Sequence, residues 1–174
     1  MEIKTLVVGK LQTNCYIISN NNECLIVDPG DDYDYIIKNI DGMRLLGVLI
    51  THYHYDHIGA LEKILNEYSV KVYDSKLKHK NINISNFNFE IIYNPGHKED
   101  CVSFYFEKEE LLFSGDFIFK NTIGRTDLDG GDYSYMIKSI EMIKKYPNDT
   151  IIYPGHGLAT NLGYEVEYNE YFKI

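Results

Sequence analysis

Apolar runs rich in β-branched residues recur along the chain at 3–8, 15–19, 24–27, 48–51, 70–73, 89–93, 102–106, 111–114 and 150–153, each closed by polar or turn-forming residues. Runs this short, bounded by Gly, Pro, Asn or Asp, predict strands. The polar stretch EKEE at 107–110 predicts a hairpin between two of them, and the Asn-rich stretch 81–88 predicts a connecting loop. Three segments carry helical spacing instead. Ile58, Leu61, Ile64, Leu65 and Tyr68 line one face of a helix over 57–68. Met136, Ile137, Ile140 and Ile143 do the same for a helix that starts after Asp132 as N-cap and stops before Pro147. A shorter helix is expected over 33–40, and 163–174 has room for one more. Strands, a helix, strands again and a helix again, with strands apolar enough to need cover on both faces, predict stacked sheets flanked by helices in one domain, 1–174.

Composition narrows the functions open to such a fold. With 174 residues, 44% of them hydrophobic and 25% charged, the chain can bury one ordinary core. A net charge of -9, from 17 basic against 26 acidic residues, opposes nucleic-acid and anionic-membrane binding, which need a basic surface. No apolar run is long enough to span a bilayer and no basic leader opens the chain, so a cytoplasmic protein is expected. Cys15, Cys24 and Cys101 are odd in number and widely spaced, which predicts reduced thiols rather than disulfides or a thiolate zinc site.

Candidate chemistry concentrates in THYHYDHIG, directly after the apolar run ending at Ile50. In extended chain alternate residues face the same way, so His52 and His54 can converge on one ion. Asp56 and His57 follow where the chain bends into a helix and can present donors to a second point a few ångström away. Three further donors end strand-like runs after a glycine: His97 in NPGH, Asp116 in FSGD and His156 in YPGH. Gly96, Gly115 and Gly155 permit a tight bend and a close backbone approach. A rigid sheet fixes donors at its strand ends well.

With TNCYII, LIVDPG, THYHYDHIGA, NPGH, FSGDFIF, IGRTDL and YPGHG in this order, the chain resembles the metallo-β-lactamase superfamily, and within it the small glyoxalase II-like (hydroxyacylglutathione hydrolase-like) hydrolases. The resemblance implies an α/β (α+β) fold, the αββα four-layer sandwich with a metal site between the sheet edges. It also implies that His52, His54 and His97 hold one metal and that Asp56, His57 and His156 hold a second, with Asp116 bridging. Two divalent cations are expected, zinc first, with iron or manganese suited to the same donors. The implied activity is metal-dependent hydrolysis of a small acyl thiolester, a hydroxyacylglutathione type of substrate, by a hydroxide shared between the ions. Asp56 would also orient the water or accept its proton. The alternative is a mononuclear iron persulfide dioxygenase of the same superfamily, using a two-His, one-carboxylate subset such as His52, His97 and Asp116.

Other residues are left with two readings. Arg125, in IGRTD, either binds a substrate carboxylate or pairs with an acid such as Asp127. Lys98 and Lys120 add positive field near the site or are solvated. Tyr53 and Tyr55 shape its mouth or pack on the sheet. Asp28, in the DPG turn, serves that turn or has a role near the site, and His79 is expected to lie on the surface. The segment after His97, KEDC in place of the relatives' Thr-Pro-Gly-Ser, predicts an altered pocket wall.

Overall fold

Along most strands successive side chains enter two different buried layers, which is why the sequence reads as continuous apolar runs rather than as alternation. The computed structural model describes residues 1–173. The first half of the chain forms β1 (Glu2–Val8), β2 (Thr13–Asn20), β3 (Glu23–Val27), α1 (Tyr33–Asn39), β4 (Arg44–Leu49), α2 (Tyr55–Ile58), α3 (Leu61–Glu67) and β5 (Lys71–Tyr73). Its five strands pair in sequence order, antiparallel through β3 and parallel from β3 to β5. Next come β6 (Asn81–Ile84), β7 (Phe87–Tyr93), β8 (Val102–Phe106), β9 (Leu111–Gly115), β10 (Ile118–Phe119), β11 (Thr122–Ile123), α4 (Tyr133–Ile143), β12 (Ile151–Pro154), β13 (Thr160–Asn161) and α5 (Leu162–Tyr168). The second sheet runs β13-β12-β9-β8-β7-β6, with β12 parallel to β9, and β10 pairs only with β11.

Three buried layers separate four structural ones. In β2 and β3, Cys15, Ile17, Cys24 and Ile26 face Ile36 and Ile64 of α1 and α3, whereas Tyr16, Ile18, Leu25 and Val27 face the second sheet. In β8 and β9, Phe104, Phe106 and Phe113 point into that same inter-sheet layer, and Tyr105 and Leu112 point outward to Met136, Ile140 and Ile143 of α4. The order is therefore helix, sheet, sheet, helix, as expected. Each fully buried Phe contributes roughly 1.5–3 kcal/mol, so the ring-filled layer between the sheets holds the strand ends in place.

Two local expectations are corrected. The stretch 81–88 is not a loop: β6 and β7 form a hairpin in which Ile82 faces Phe89 and Ile84 faces Phe87, turning at Ser85 with φ 52°. Asn residues alternate with two Ile side chains that pack on the inter-sheet core, and this period of two outweighs their low strand propensity. The expected helix over 57–68 is two helices, α2 and α3, broken at Gly59 and Ala60. The Ala60 N–H donates to the Pro29 carbonyl at 2.9 Å, and a Cβ on Gly59 would lie 2.2 Å from the Gly30 oxygen, so a crossing turn interrupts the helix. Ile58, Leu61, Ile64 and Tyr68 still pack on the core across the break, whereas Leu65 of the expected face is exposed. Asp132 caps α4 as expected, accepting from the N–H groups of Ser134 and Tyr135. Among the described residues no helix is long and apolar enough to cross a membrane.

Candidate metal centre

The polar segment that follows β4 cannot continue between two apolar layers and turns out at the sheet edge. Thr51 marks the exit, where its carbonyl accepts from Val102 N–H of the other sheet at 2.9 Å. From there His52, His54, Asp56 and His57 point into a space also reached by His97 after β7, Asp116 after β9 and His156 after β12. All seven donors expected from the sequence converge.

They form adjoining groups. His52 Nε2 and His97 Nε2 each lie 3.0 Å from His54 Nδ1. On the other side His156 Nε2 is 3.3 Å and His57 Nε2 3.6 Å from Asp56 Oδ2. Asp116 stands between: Oδ2 is 3.5 Å from His97 Nε2 and 3.6 Å from His156 Nε2, while Oδ1 is 3.4 Å from His57 Nε2. His52, His57 and Asp116 also make a third compact set.

Hydrogen bonds on the far side of the imidazoles decide which nitrogen faces inward. His57 Nδ1–H donates to Asp28 Oδ2 at 2.9 Å, His97 Nδ1–H to the Arg125 carbonyl at 2.7 Å and His156 Nδ1–H to the Leu11 carbonyl at 3.1 Å. Thr51 Oγ1 donates to Asp28 Oδ2 at 2.6 Å, which leaves it to accept from His52 Nδ1–H at 3.1 Å. In these four rings the Nε2 lone pair is therefore free to meet a cation. Thr13 Oγ1 donates to Asp56 Oδ2 at 3.0 Å.

Burial sets the charge state. It pushes His52 well below its usual range, helped by nearby His57, and it lowers His54 as well. Burial also opposes a charge on His57, yet the Asp28 and Asp116 carboxylates outweigh it and push that imidazole up to about 10. Asp116 is held below the usual carboxylate range: burial opposes this, and the facing His57, with its charge, prevails. His57 Nε2 and Asp116 Oδ1 are nonetheless buried without a hydrogen-bond partner. Unpaired buried donors of this kind, within reach of further imidazole and carboxylate groups, fit divalent cations.

The close approach is built into the backbone. A Cβ on Gly155 would fall 2.2 Å from Asp116 Oδ1 and 2.7 Å from His57 Cε1. Gly115 takes φ 52° so that Asp116 can turn off β9. The centre opens into a cavity of about 630 Å³ lined by Leu11, Tyr55, Phe119, Arg125 and Leu128 besides five of the donors, His52 and His57 not being among them.

The remaining candidates divide. Arg125 lines the cavity and pairs with Asp127 at 2.8 and 2.7 Å. Tyr55 lines it too, whereas Tyr53 donates to Asp74 at 2.6 Å. Lys98 pairs with Asp100 and Lys120 lies over the Tyr164 ring. His79 is exposed and the three cysteines are buried and unpaired. Asp28 fills both of its readings, the turn and a role at the site. It has φ 47° and also tethers Thr51 and His57. The carbonyls of Leu11 and Arg125 had no side-chain signal to announce them, but the DPG turn around Asp28 was visible.

Residues 8–83 and 75–156 match the family model described as Lactamase_B, the metallo-beta-lactamase superfamily. A probable metallo-hydrolase, YqgX of Bacillus subtilis (strain 168), is 31% identical over 205 residues, covering 98% of this chain and 97% of its own. The hydroxyacylglutathione hydrolase GloC of Haemophilus influenzae is also 31% identical, over 208 residues and 98% of both chains. Among solved structures, the BLEG-1 B3 metallo-beta-lactamase superposes with a TM-score of 0.93 at 32% identity, covering 99% of this chain and 100% of that one. TTHA1623 in a di-iron-bound form superposes with a TM-score of 0.88 at 26% identity, covering 97% and 99%.

Proposed function

The chain belongs to the metallo-beta-lactamase superfamily, and we propose that within it the chain is a hydrolase of small acyl thiolesters that works with two divalent cations. The observation that carries the reading is Asp116, whose two oxygens face imidazoles of both donor groups at the floor of an open cavity. His52, His54 and His97 would hold one cation and Asp56, His57 and His156 the other, with Asp116 shared. When bound, such a pair supplies an acidified water and a fixed positive charge for the oxygen of the carbonyl under attack. Zinc is the first choice; the di-iron-bound form of the relative TTHA1623 keeps iron open.

Hydrolysis joins a water oxygen to the acyl carbon and breaks the C–S bond, releasing a carboxylate and a thiol. Asp56 faces the cavity with one oxygen tied to Thr13, and it orients the attacking water or takes its proton. Leu11, Tyr55, Phe119 and Leu128 give the acyl group an apolar surface to lie against. No cysteine competes as nucleophile: burial pushes the Cys101 thiol far up, and that of Cys24 up to about 11. These reduced thiols also support the cytoplasmic setting. The thiolester assignment draws on the hydroxyacylglutathione hydrolase among the relatives.

A mononuclear dioxygenase would leave Asp56, His57 and His156 without a task. Metal analysis together with thiol release from a lactoyl thiolester tests the choice. Two metals per chain and thiol release without oxygen uptake are expected, with release lost in His54→Ala while the fold is retained. One iron per chain with oxygen uptake on glutathione persulfide would overturn the hydrolase.

A further inference from the structure

The cavity lining is apolar at Leu11, Phe119 and Leu128, with the ring of Tyr55 beside them. The remaining charged and titratable lining is five of the metal donors, His54, Asp56, His97, Asp116 and His156, plus one permanent cation, Arg125. A substrate arm bearing a carboxylate would have to be met by that guanidinium. Its Nε and one Nη already donate to the two oxygens of Asp127, at 2.8 and 2.7 Å, so one bidentate edge of the guanidinium is filled and its charge is answered from within the same loop. Two residues of separation keep Asp127 at a high local concentration, and a carboxylate coming to the remaining edge meets a guanidinium already neutralised. The nearby lysines do not substitute. Lys98 is bound to Asp100, Lys120 lies over Tyr164, and Lys10 lines an adjoining cavity beside Asp31, beyond Leu11 and Tyr55.

We infer that the cavity takes a thiolester with no carboxylate in either arm, and that Asp127 sets this preference by neutralising Arg125 toward substrate carboxylates. This rests on the thiolester reading above and narrows it. The guanidinium in turn holds the Asp127 carboxyl low, down to about 2, so the countercharge persists across the physiological range. Asp127 is a positioning residue here, since it acts through Arg125.

The test uses the metal-loaded protein and two probes with the same lactoyl group, one on N-acetylcysteamine, which is uncharged, and one on glutathione, which carries two carboxylates. The neutral thiolester is expected to have the higher kcat/KM. Asp127→Asn is expected to lower KM for the glutathione probe about fivefold, the scale of one exposed ion pair, with kcat held. The gain should vanish in the double variant D127N/R125Q and in high salt. A role for Asp127 in loop structure alone would instead raise KM for both probes, and that result overturns the inference. Wild-type preference for the glutathione probe, or a D127N gain that survives loss of Arg125, would also overturn it while leaving the hydrolase standing. Failure to cleave either probe would overturn the thiolester reading, and the inference with it.

Discussion

The floor and the rim of the metal centre are built from the same residue types and behave as different materials. On the floor His57 is 0% and Asp28 2% exposed, and the inward nitrogen of His57 is fixed by the bond to Asp28 behind it. At the rim His156 is 28% exposed, and the Arg125–Asp127 pair is 62% and 68% exposed. Charges on the floor interact in a poor dielectric and must be answered by partners, whereas those on the rim are screened and exchangeable. In the proposed reading coordination belongs mainly to the floor, with His156 the donor that reaches the rim, and selectivity to the rim.

The sharpest way to break that contrast is to push the floor apart. Gly155→Ala forces a Cβ into Asp116 Oδ1 and His57 Cε1, and is expected to abolish both metal retention and hydrolysis, measured by elemental analysis and thiol release. Gly157→Ala, two residues toward the rim, meets nothing within 4 Å and suffers only from φ 76°. It should cost about 1–2 kcal/mol of stability, read from a denaturant midpoint, with the metals kept. Equal damage from the two variants would erase the distinction. A smaller effect comes from the support behind the donors. Asp28→Asn keeps the shape but removes the charge facing His57, and is expected to lower metal affinity roughly 10- to 100-fold in a competitive chelator titration.

The floor's extent is legible unevenly in the sequence. His52, His54, Asp56 and His57 sit within six positions, and their convergence follows from strand alternation and one turn. The second-sheet donors lie 40, 59 and 99 residues past His57, and only the repeated order of apolar run, glycine and donor marks them. Residues 81–88 misled because Asn weakens a strand reading while the deciding Ile82 and Ile84 contacts are tertiary. The helix over 57–68 misled for a similar reason: the Pro29–Gly30 turn that breaks it lies about thirty residues earlier. Asp28 was visible as a turn, but its bond to His57 depends on two strands lying side by side.

The gentlest test is pH. His57 in the metal-free protein is pushed up to about 10 from an ordinary 6.5, so the folded state holds its proton more tightly than the unfolded chain does. Its contribution to stability is complete below about 6.5 and is lost as pH rises through 10. Metal-free protein should lose thermal stability across that window more steeply than metal-loaded protein, in which the same nitrogen carries a cation in place of the proton. Parallel melting curves would contradict this.

The far strand end is sewn to the beginning of the chain. Asn14 donates from its side chain to the Pro154 and Gly157 carbonyls at 3.0 and 2.9 Å and from its backbone to Gly155, and Tyr16 reaches the Pro154 carbonyl. A polypeptide emerging from the ribosome therefore carries its clustered imidazoles for some hundred residues before the last donor arrives. Metal loading becomes a late event in biosynthesis, and a nascent chain halted short of His156 holds an open, half-assembled cradle.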